Sequence, residues 1–418
     1  MAPRRKVYVL GSFITPFIGK FHPDFIWKKH PDFGQKQNPD LHAYLGEAAR
    51  GALRDAGVEA SAVEKGYVGN FAGELFSKQG HLGSVLAGAV EGFEGKPFMR
   101  VEGACASGGL AIAAAVDAIA AGHDCVIAVG AEVQTTVNAK IGADYLARAA
   151  DYDRQRSIDP FTFPCLFARR AKALKEAGLV TDDDISHVVT KAYANANKNP
   201  RAHMRSVKMS PERARAASDK NPLFLENEAY RPHMKISDCS QVSDGGAAII
   251  LCSEDFLEAH GVTERPVEIL GLGHATGAIA GPDDLCRLST TEAAARAAYA
   301  ASGVSPDQLD VAEVHDCFAV TEILMTEALG LAAPGAGGAL ARAGATSLDG
   351  RIPVNTGGGL LAYGHPVGAT GIKQVAEVAN QMLGRCGDYQ LAKRPRLGVT
   401  ANMGGDDRTA VVTVLAAP

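Results

Sequence analysis

Phe98-Met99-Arg100-Val101-Glu102-Gly103-Ala104-Cys105-Ala106-Ser107-Gly108-Gly109-Leu110-Ala111-Ile112-Ala113-Ala114-Ala115-Val116-Asp117-Ala118-Ile119 is the stretch on which the fold turns. It opens as a short strand, passes through a glycine-containing polar turn, and continues as a helix that is apolar nearly all round, the pattern of a buried helix. Only its first turn is polar. A cysteine there stands among unpaired backbone N–H groups at the positive end of the helix dipole, which favours thiolate over thiol. Taken alone, Cys105 reads first as a small buried residue.

Outward from this stretch, short apolar or β-branched runs alternate with longer small-residue helical stretches, the signature of an α/β chain with a largely parallel sheet. Strands are expected at 7–10, 66–70, 98–102 and 125–129, with helices at 41–56, 80–90 and after Cys105. The second half repeats the theme, with strands at 267–272, 311–314, 397–401 and 410–415 and helices at 291–301, 320–329 and after Ala369. It has its own glycine-containing turn into a buried helix, Gly364-His365-Pro366-Val367-Gly368-Ala369-Thr370-Gly371. A duplicated unit is expected, with Cys105 and His365 at related helix N-termini and converging between the halves.

Between the halves, residues 132–235 pattern irregularly. Residues 186–235 hold ten Lys/Arg against four Asp/Glu, in a chain whose formal net charge is -5. The patch is either a solvated basic face or the seat of a phosphate-bearing partner. The acidity of the whole argues against a protein that coats nucleic acid. With 418 residues, 46% hydrophobic and 21% charged, the chain has the length and composition for two or three compact units. Eight dispersed cysteines without CxxC or zinc-type spacing fit a reducing compartment. No signal peptide, membrane span or lipid anchor is visible, so a cytoplasmic protein is expected.

Further chemistry is offered by His315-Asp316-Cys317-Phe318, directly after an expected strand, and by His365. Side chains at strand C-termini and helix N-termini face the crevice of an α/β sheet, where ligands bind. Each histidine alone is more often structural; a cysteine and histidines spread over such junctions are a rarer coincidence. These motifs, together with Cys239-Ser240-Gln241-Val242-Ser243-Asp244-Gly245-Gly246-Ala247-Ala248 and Asn355-Thr356-Gly357-Gly358-Gly359, resemble the thiolase superfamily over nearly the whole chain. The resemblance implies a thiolase-like α/β fold of two similar βαβαβαββ halves in a layered α/β/α/β/α arrangement with an inserted loop domain. The implied division is an N-terminal half at 1–131, a coenzyme A-binding loop domain at 132–238, the end of the N-terminal half at 239–262 and a C-terminal half at 263–418.

The resemblance also implies an acyltransferase: an acetyl-CoA acyltransferase or 3-ketoacyl-CoA thiolase that makes or cleaves a carbon–carbon bond by Claisen chemistry through an acyl-cysteine. The alternative within the superfamily is an acyltransferase or condensing enzyme whose carbon nucleophile is not an acyl-CoA. Cys105 becomes the acylated nucleophile and His365 the base that holds it as thiolate. Many thiolases carry a further cysteine in a Cys-x-Gly loop near the C-terminus, where this chain reads Thr400-Ala401-Asn402-Met403-Gly404-Gly405. Cys317 therefore takes the acid/base role, in a His-Asp-Cys-Phe motif that resembles the sterol-carrier-protein-linked thiolase subgroup, here without an attached sterol carrier domain. His315 stands where relatives have an asparagine that organises an oxyanion hole for the enolate, and the N–H groups of Cys105 and Gly404 form a second hole. Ser240 aligns with a serine that contacts pantetheine. Acyl-CoA is implied as substrate, with no permanently bound cofactor, no metal, no nucleic-acid or membrane partner, and assembly as a homodimer or dimer of dimers in lipid metabolism.

Two rival classes have features of their own. Gly271-Leu272-Gly273-His274-Ala275-Thr276-Gly277 is the best dinucleotide turn, its third glycine one residue late for GxGxxG. His315, Cys317 and His365 could serve a metal hydrolase, although no HExxH spacing supports one. Lastly, the aromatic and proline-rich stretch 13–41 carries His22-Pro23-Asp24-Phe25 and His30-Pro31-Asp32-Phe33 around the only tryptophan, Trp27. It reads either as a cover over an acyl tunnel or a subunit contact, or as a self-packed surface loop.

Overall fold

Strands such as Cys125–Glu132 and Gly245–Ser253, buried at every position, can exist only with material on both faces. The computed structural model, which describes residues 5–264, 266–281 and 284–418, supplies that material. Among the described residues, nine strands form one mixed sheet: β1 Val7–Ile14, β2 Lys65–Gly69, β3 Phe98–Val101, β4 Cys125–Glu132, β5 Gly245–Ser253, β6 Val267–Thr276, β7 Val311–Val314, β8 Leu397–Gly404 and β9 Thr409–Ala416. Their order is β3-β2-β4-β5-β1-β6-β9-β8-β7.

Outward from the centre, this order is the same on both sides. β1 and β6 meet in a short antiparallel seam, Tyr8 opposite Glu268 and Val9 opposite Val267. Beyond each lies the last strand of its half, then the one before it, then the second strand. On the far side of β2 runs β3, in parallel. The matching position beside β7 is reduced to one parallel bridge, Ala312 to Val354. The duplication expected from the two glycine turns is thus present in the topology.

The helices Leu41–Ala56, on β1 and β5, and Ser289–Ser302, on β6 and β9, form the two outer layers. Between the sheet halves lie Ser107–Ala120 and Thr370–Leu383, which pack on each other and on strands of both halves. The result is an α/β/α/β/α sandwich. The two central helices come this close because their contact is glycine on backbone: a Cβ at Gly371 would stand 2.2 Å from the nitrogen of Gly109.

Three expectations change. The sheet is more antiparallel than parallel, since β8 returns into β9 through a tight turn, which joins only antiparallel neighbours. β5 was not among the expected strands; its Gly246 admits the backbone of the helix Leu41–Ala56, a Cβ there standing 2.8 Å from the carbonyl oxygen of Tyr44. The irregular middle segment holds two long helices, Thr162–Glu176 and Asp182–Ala196. Their apolar faces are interrupted by charges that are buried in pairs, Arg170 with Asp406 and Lys191 with Glu322, each at 2.5 Å.

The remaining motifs also find places. Gly271 and Gly273 lie within β6, where a Cβ at Gly273 would stand 2.0 Å from the carbonyl oxygen of Ala294. They serve close strand–helix packing, and the dinucleotide reading loses its turn. In the 13–41 stretch, Phe17 is buried with its ring edge-on to Tyr363 at 5.0 Å, and Ile18 bridges Asp244. The two His-Pro-Asp-Phe copies fold alike: the N–H of Asp24 reaches Nδ1 of His22 and that of Asp32 reaches Nδ1 of His30. Phe21, Trp27 and Phe33 are exposed on this stretch. None of the described helices is long and apolar enough to cross a membrane.

Candidate active site

Cys105 lies on the elbow between β3 and the helix Ser107–Ala120, ahead of the first helical turn rather than inside it. Ala104 adopts a left-handed backbone with φ 52°. Such strain in a non-glycine residue is tolerated where the surroundings fix it. Here Ser107 does the fixing, its Oγ accepting from the N–H of Gly103 at 3.1 Å and donating to the carbonyl of Ala104 at 2.6 Å.

That displacement from the helix matters electrostatically. Burial pushes the Cys105 thiol up to about 12, against the pull of the N–H groups of Gly405 and of Cys105 itself and with help from the carboxylates of Glu132 and Glu102. Desolvation outweighs the amides, so the resting group is a thiol. The second N–H facing the sulfur belongs to Gly405, one residue beyond Gly404. Gly404 itself packs on Gly103, where a Cβ would stand 2.1 Å from the carbonyl oxygen.

His365 reaches the sulfur from the other half, at the turn before Thr370–Leu383. Its Nδ1 lies 2.7 Å from Oγ1 of Thr370, whose hydroxyl donates to the carbonyl of Pro366 at 3.1 Å. With that hydrogen committed, Thr370 can only accept from His365, so Nδ1 carries the proton and Nε2 keeps a lone pair. Burial draws the ring down to about 3, so it is neutral. Its backbone is pinned as well: the N–H goes to Oγ of Ser243 at 3.2 Å, and the amide of Gln134 spans the carbonyls of His365 and Ser243, each at 2.9 Å.

His315, just past the end of β7, is buried and set edge-on to His365 with centroids 5.0 Å apart. Burial and the neighbouring ring hold it well below the usual histidine value. Asn402, on β8, touches it: Nδ2 is 3.1 Å from Nδ1 of His315 and donates to the carbonyl of Cys105 at 3.0 Å, while Oδ1 accepts from the N–H of Gly109 at 3.0 Å. One ligand atom each of Cys105, His315 and His365 falls within 4.8 Å of the others, close enough to meet around one small group.

Cys317 is buried beside this trio, its sulfur 4.0 Å from Oγ1 of Thr321. Burial, reinforced by Cys105, holds it far above the ordinary thiol range. Its carbonyl accepts from the N–H of Ser240 at 2.9 Å, which places Ser240 at the margin of the same crevice. Beneath lies Glu132, whose carboxylate gathers the N–H groups of Phe71 at 3.0 Å, Ala72 at 3.1 Å and Gly368 at 3.2 Å, tying the His365 turn to the first half. The roles of Thr370, Asn402, Gln134, Ser243 and Glu132 were not visible in sequence; most of these residues act on main-chain atoms, which leave no pattern.

A cysteine on an elbow between two copies of one α/β unit, with a neutral imidazole beside it, is the arrangement that covalent nucleophilic catalysis uses. Residues 32–255 match the family description "Thiolase, N-terminal domain", and residues 271–417 match "Thiolase C-terminal domain-like". The chain is 38% identical to an acetyl-CoA acetyltransferase of Methanothermobacter thermautotrophicus, over 88% of this chain and 92% of the other. It is 29% identical to sterol carrier protein 2 of Rattus norvegicus, over 88% of this chain and 66% of the other. The Ltp2-ChsH2(DUF35) aldolase superposes with a TM-score of 0.76 at 22% identity, covering 99% of this chain and 98% of that one. The human mitochondrial 3-ketoacyl-CoA thiolase in complex with CoA gives 0.72 at 18%, covering 100% and 99%. These two share the fold. The chain belongs to the thiolase family and is an acyltransferase.

Proposed function

We propose that this thiolase makes or cleaves a 3-ketoacyl-CoA through an acyl-Cys105 intermediate, as an acetyl-CoA C-acyltransferase. The observation that carries the reading is the meeting of Cys105, His315 and His365 within 4.8 Å, contributed by both halves. In cleavage, Cys105 Sγ bonds to the ketone carbon while its proton passes to Nε2 of His365. The carbon–carbon bond then breaks, and the departing enolate takes a proton from the Cys317 thiol at its α-carbon, with His315 donating to its oxygen. A second CoA thiol gives its proton to the Cys317 sulfur and attacks the acyl-cysteine, and Cys105 leaves with the proton it had given to His365. Synthesis runs the same steps in reverse, with the Cys317 sulfur taking the α-proton. The N–H groups of Cys105 and of the 404–405 turn steady the oxyanion on the carbon bound to Cys105.

Coenzyme A lies against the loop domain, 132–238, inserted between the N-terminal half, 1–131 with 239–262, and the C-terminal half, 263–418; Ser240 meets its pantetheine. Of the basic residues there, Lys191, Arg215 and Lys235 are engaged by Glu322, Asp183 and Asp238, and Arg213 and Arg231 by main-chain carbonyls. With Arg201 over the ring of Phe13 and Arg205 3.9 Å from Asp24, Lys198, Lys208 and Lys220 are the candidates for its phosphates. The His-Asp-Cys-Phe motif and the likeness to sterol carrier protein 2 support that subgroup. A cytoplasmic homodimer acting in lipid metabolism, without bound metal or cofactor, completes the reading.

Mass spectrometry after mixing with acetyl-CoA and with longer 3-ketoacyl-CoAs tests it. An acyl adduct on the native protein that is absent from Cys105→Ser is expected. No adduct from any donor would overturn the reading.

A further inference from the structure

Asn402 occupies a slot made for an amide. It is 2% exposed, and a Cβ would stand 2.8 Å from its Oδ1 at Gly109 and 2.3 Å at Gly371, so it is gripped between the two central helices. Which end is oxygen is not a matter of choice. One end faces a backbone N–H, that of Gly109, and the other a backbone carbonyl, that of Cys105. The NH₂ group is therefore the end that faces His315, and its second hydrogen points at Nδ1.

We propose that Asn402 is a positioning residue for the reaction, holding His315 in the tautomer whose Nδ1 accepts and whose Nε2–H is left to meet the substrate oxygen. This rests on the reading of His315 as an oxyanion donor. Two features that set the chain apart from many thiolases, histidine at 315 and asparagine at 402, are then one device. A histidine free to choose would present an N–H or a lone pair at Nε2, and only the first can stabilise an enolate oxygen. The two imidazoles of the site are held in opposite tautomers by neutral partners, His365 by Thr370 as a base and His315 by Asn402 as a donor. With its proton at Nε2, His315 offers no lone pair there to a cation.

Asn402→Asp reverses the polarity of the partner with little change of shape. A carboxylate accepts from Nδ1–H, so neutral His315 would turn a lone pair to the substrate. The carboxylate also raises the His315 pKa, and protonation restores the Nε2–H. The titratable groups that face His315 from neighbouring elements are His365 and Cys105, with Asp316 and Cys317 adjacent in its own segment; Asp316 is turned away to the N–H of Leu360. The expected result is a kcat about 10²-fold below native at pH 8. The ratio of variant to native rate should then climb as pH falls through the raised pKa, and acylation of Cys105 should continue. A ratio that stays flat with pH overturns the inference.

The native protein provides a check that needs no variant. Two-dimensional ¹H–¹⁵N spectra of histidine-labelled protein, assigned with His315→Ala, should show His315 protonated at Nε2 and bare at Nδ1. The opposite tautomer overturns the role of Asn402. His315→Ala turning over at the native rate would instead overturn the donor reading of His315, whatever its tautomer.

Discussion

The hydroxyl of Thr370 has one hydrogen, and giving it to Pro366 decides which nitrogen of His365 stays bare. Thr370→Val removes the acceptor and leaves a buried N–H unpaired, a loss of about 1–3 kcal/mol. The burst of Cys105 acylation should slow by about tenfold or more in stopped flow, with the mass of the adduct unchanged. Because burial lowers His365 to about 3, its base form persists far below the ordinary histidine value of about 6.5. Between those values the unfolded chain binds a proton that the folded one refuses, so His365 also costs stability as pH falls through that window. The acid limb of the acylation rate should lie well below 6, and a limb near 6.5 would contradict the burial of this ring. Cys317→Ala should still be acylated at Cys105 while Claisen turnover drops about 10²–10⁴-fold, the usual worth of a placed proton donor. Loss of the adduct in this variant would mean that Cys317 supports the fold or the nucleophile instead of handling the proton.

At the scale of elements, charge buried in the helices of the middle segment has structural work. Lys191 reaches Glu322 at 2.5 Å and the carbonyl of Val354 at 3.1 Å, joining Asp182–Ala196 to the C-terminal half. Lys191→Met leaves Glu322 buried without its cation, and should cost about 3–5 kcal/mol in urea unfolding. The same lysine explains why this helix was illegible: a charge on an inward face breaks the apolar period by which helices are recognised. Where a glycine turn or a clear strand–helix junction marks the element, reading succeeded even with charge inside, as at Glu313 and Lys373, paired at 2.7 Å. The helix Leu41–Ala56 and the strand β7 fall on the residues expected, and the two central helices lie where their glycine turns announce them. Of the site, Cys105, His315, Cys317 and His365 could be named because strand–helix junctions expose such residues. The tautomers could not, since they depend on Thr370 and Asn402, whose partners are fixed only once the helices cross.

For the whole molecule, the two ends of the sheet differ. β7 is buried and flanked by the Val354 bridge, whereas β3 has no partner on its outer side among the described residues and leaves Met99 48% exposed. An open edge of this kind invites pairing with another chain. The homodimer proposed above would use this edge, so Met99→Lys should shift it toward monomer in analytical ultracentrifugation, and an unchanged mass would remove the edge from the proposed contact. The site itself needs both halves of one chain, since Cys105 belongs to the first and its two imidazoles to the second. At rest these groups carry no net charge: two neutral rings and a thiol near 12. Peroxide and alkylating agents attack the thiolate. A sulfur that stays protonated until a carbonyl arrives offers such reagents little to attack, its reactivity on loan from the substrate.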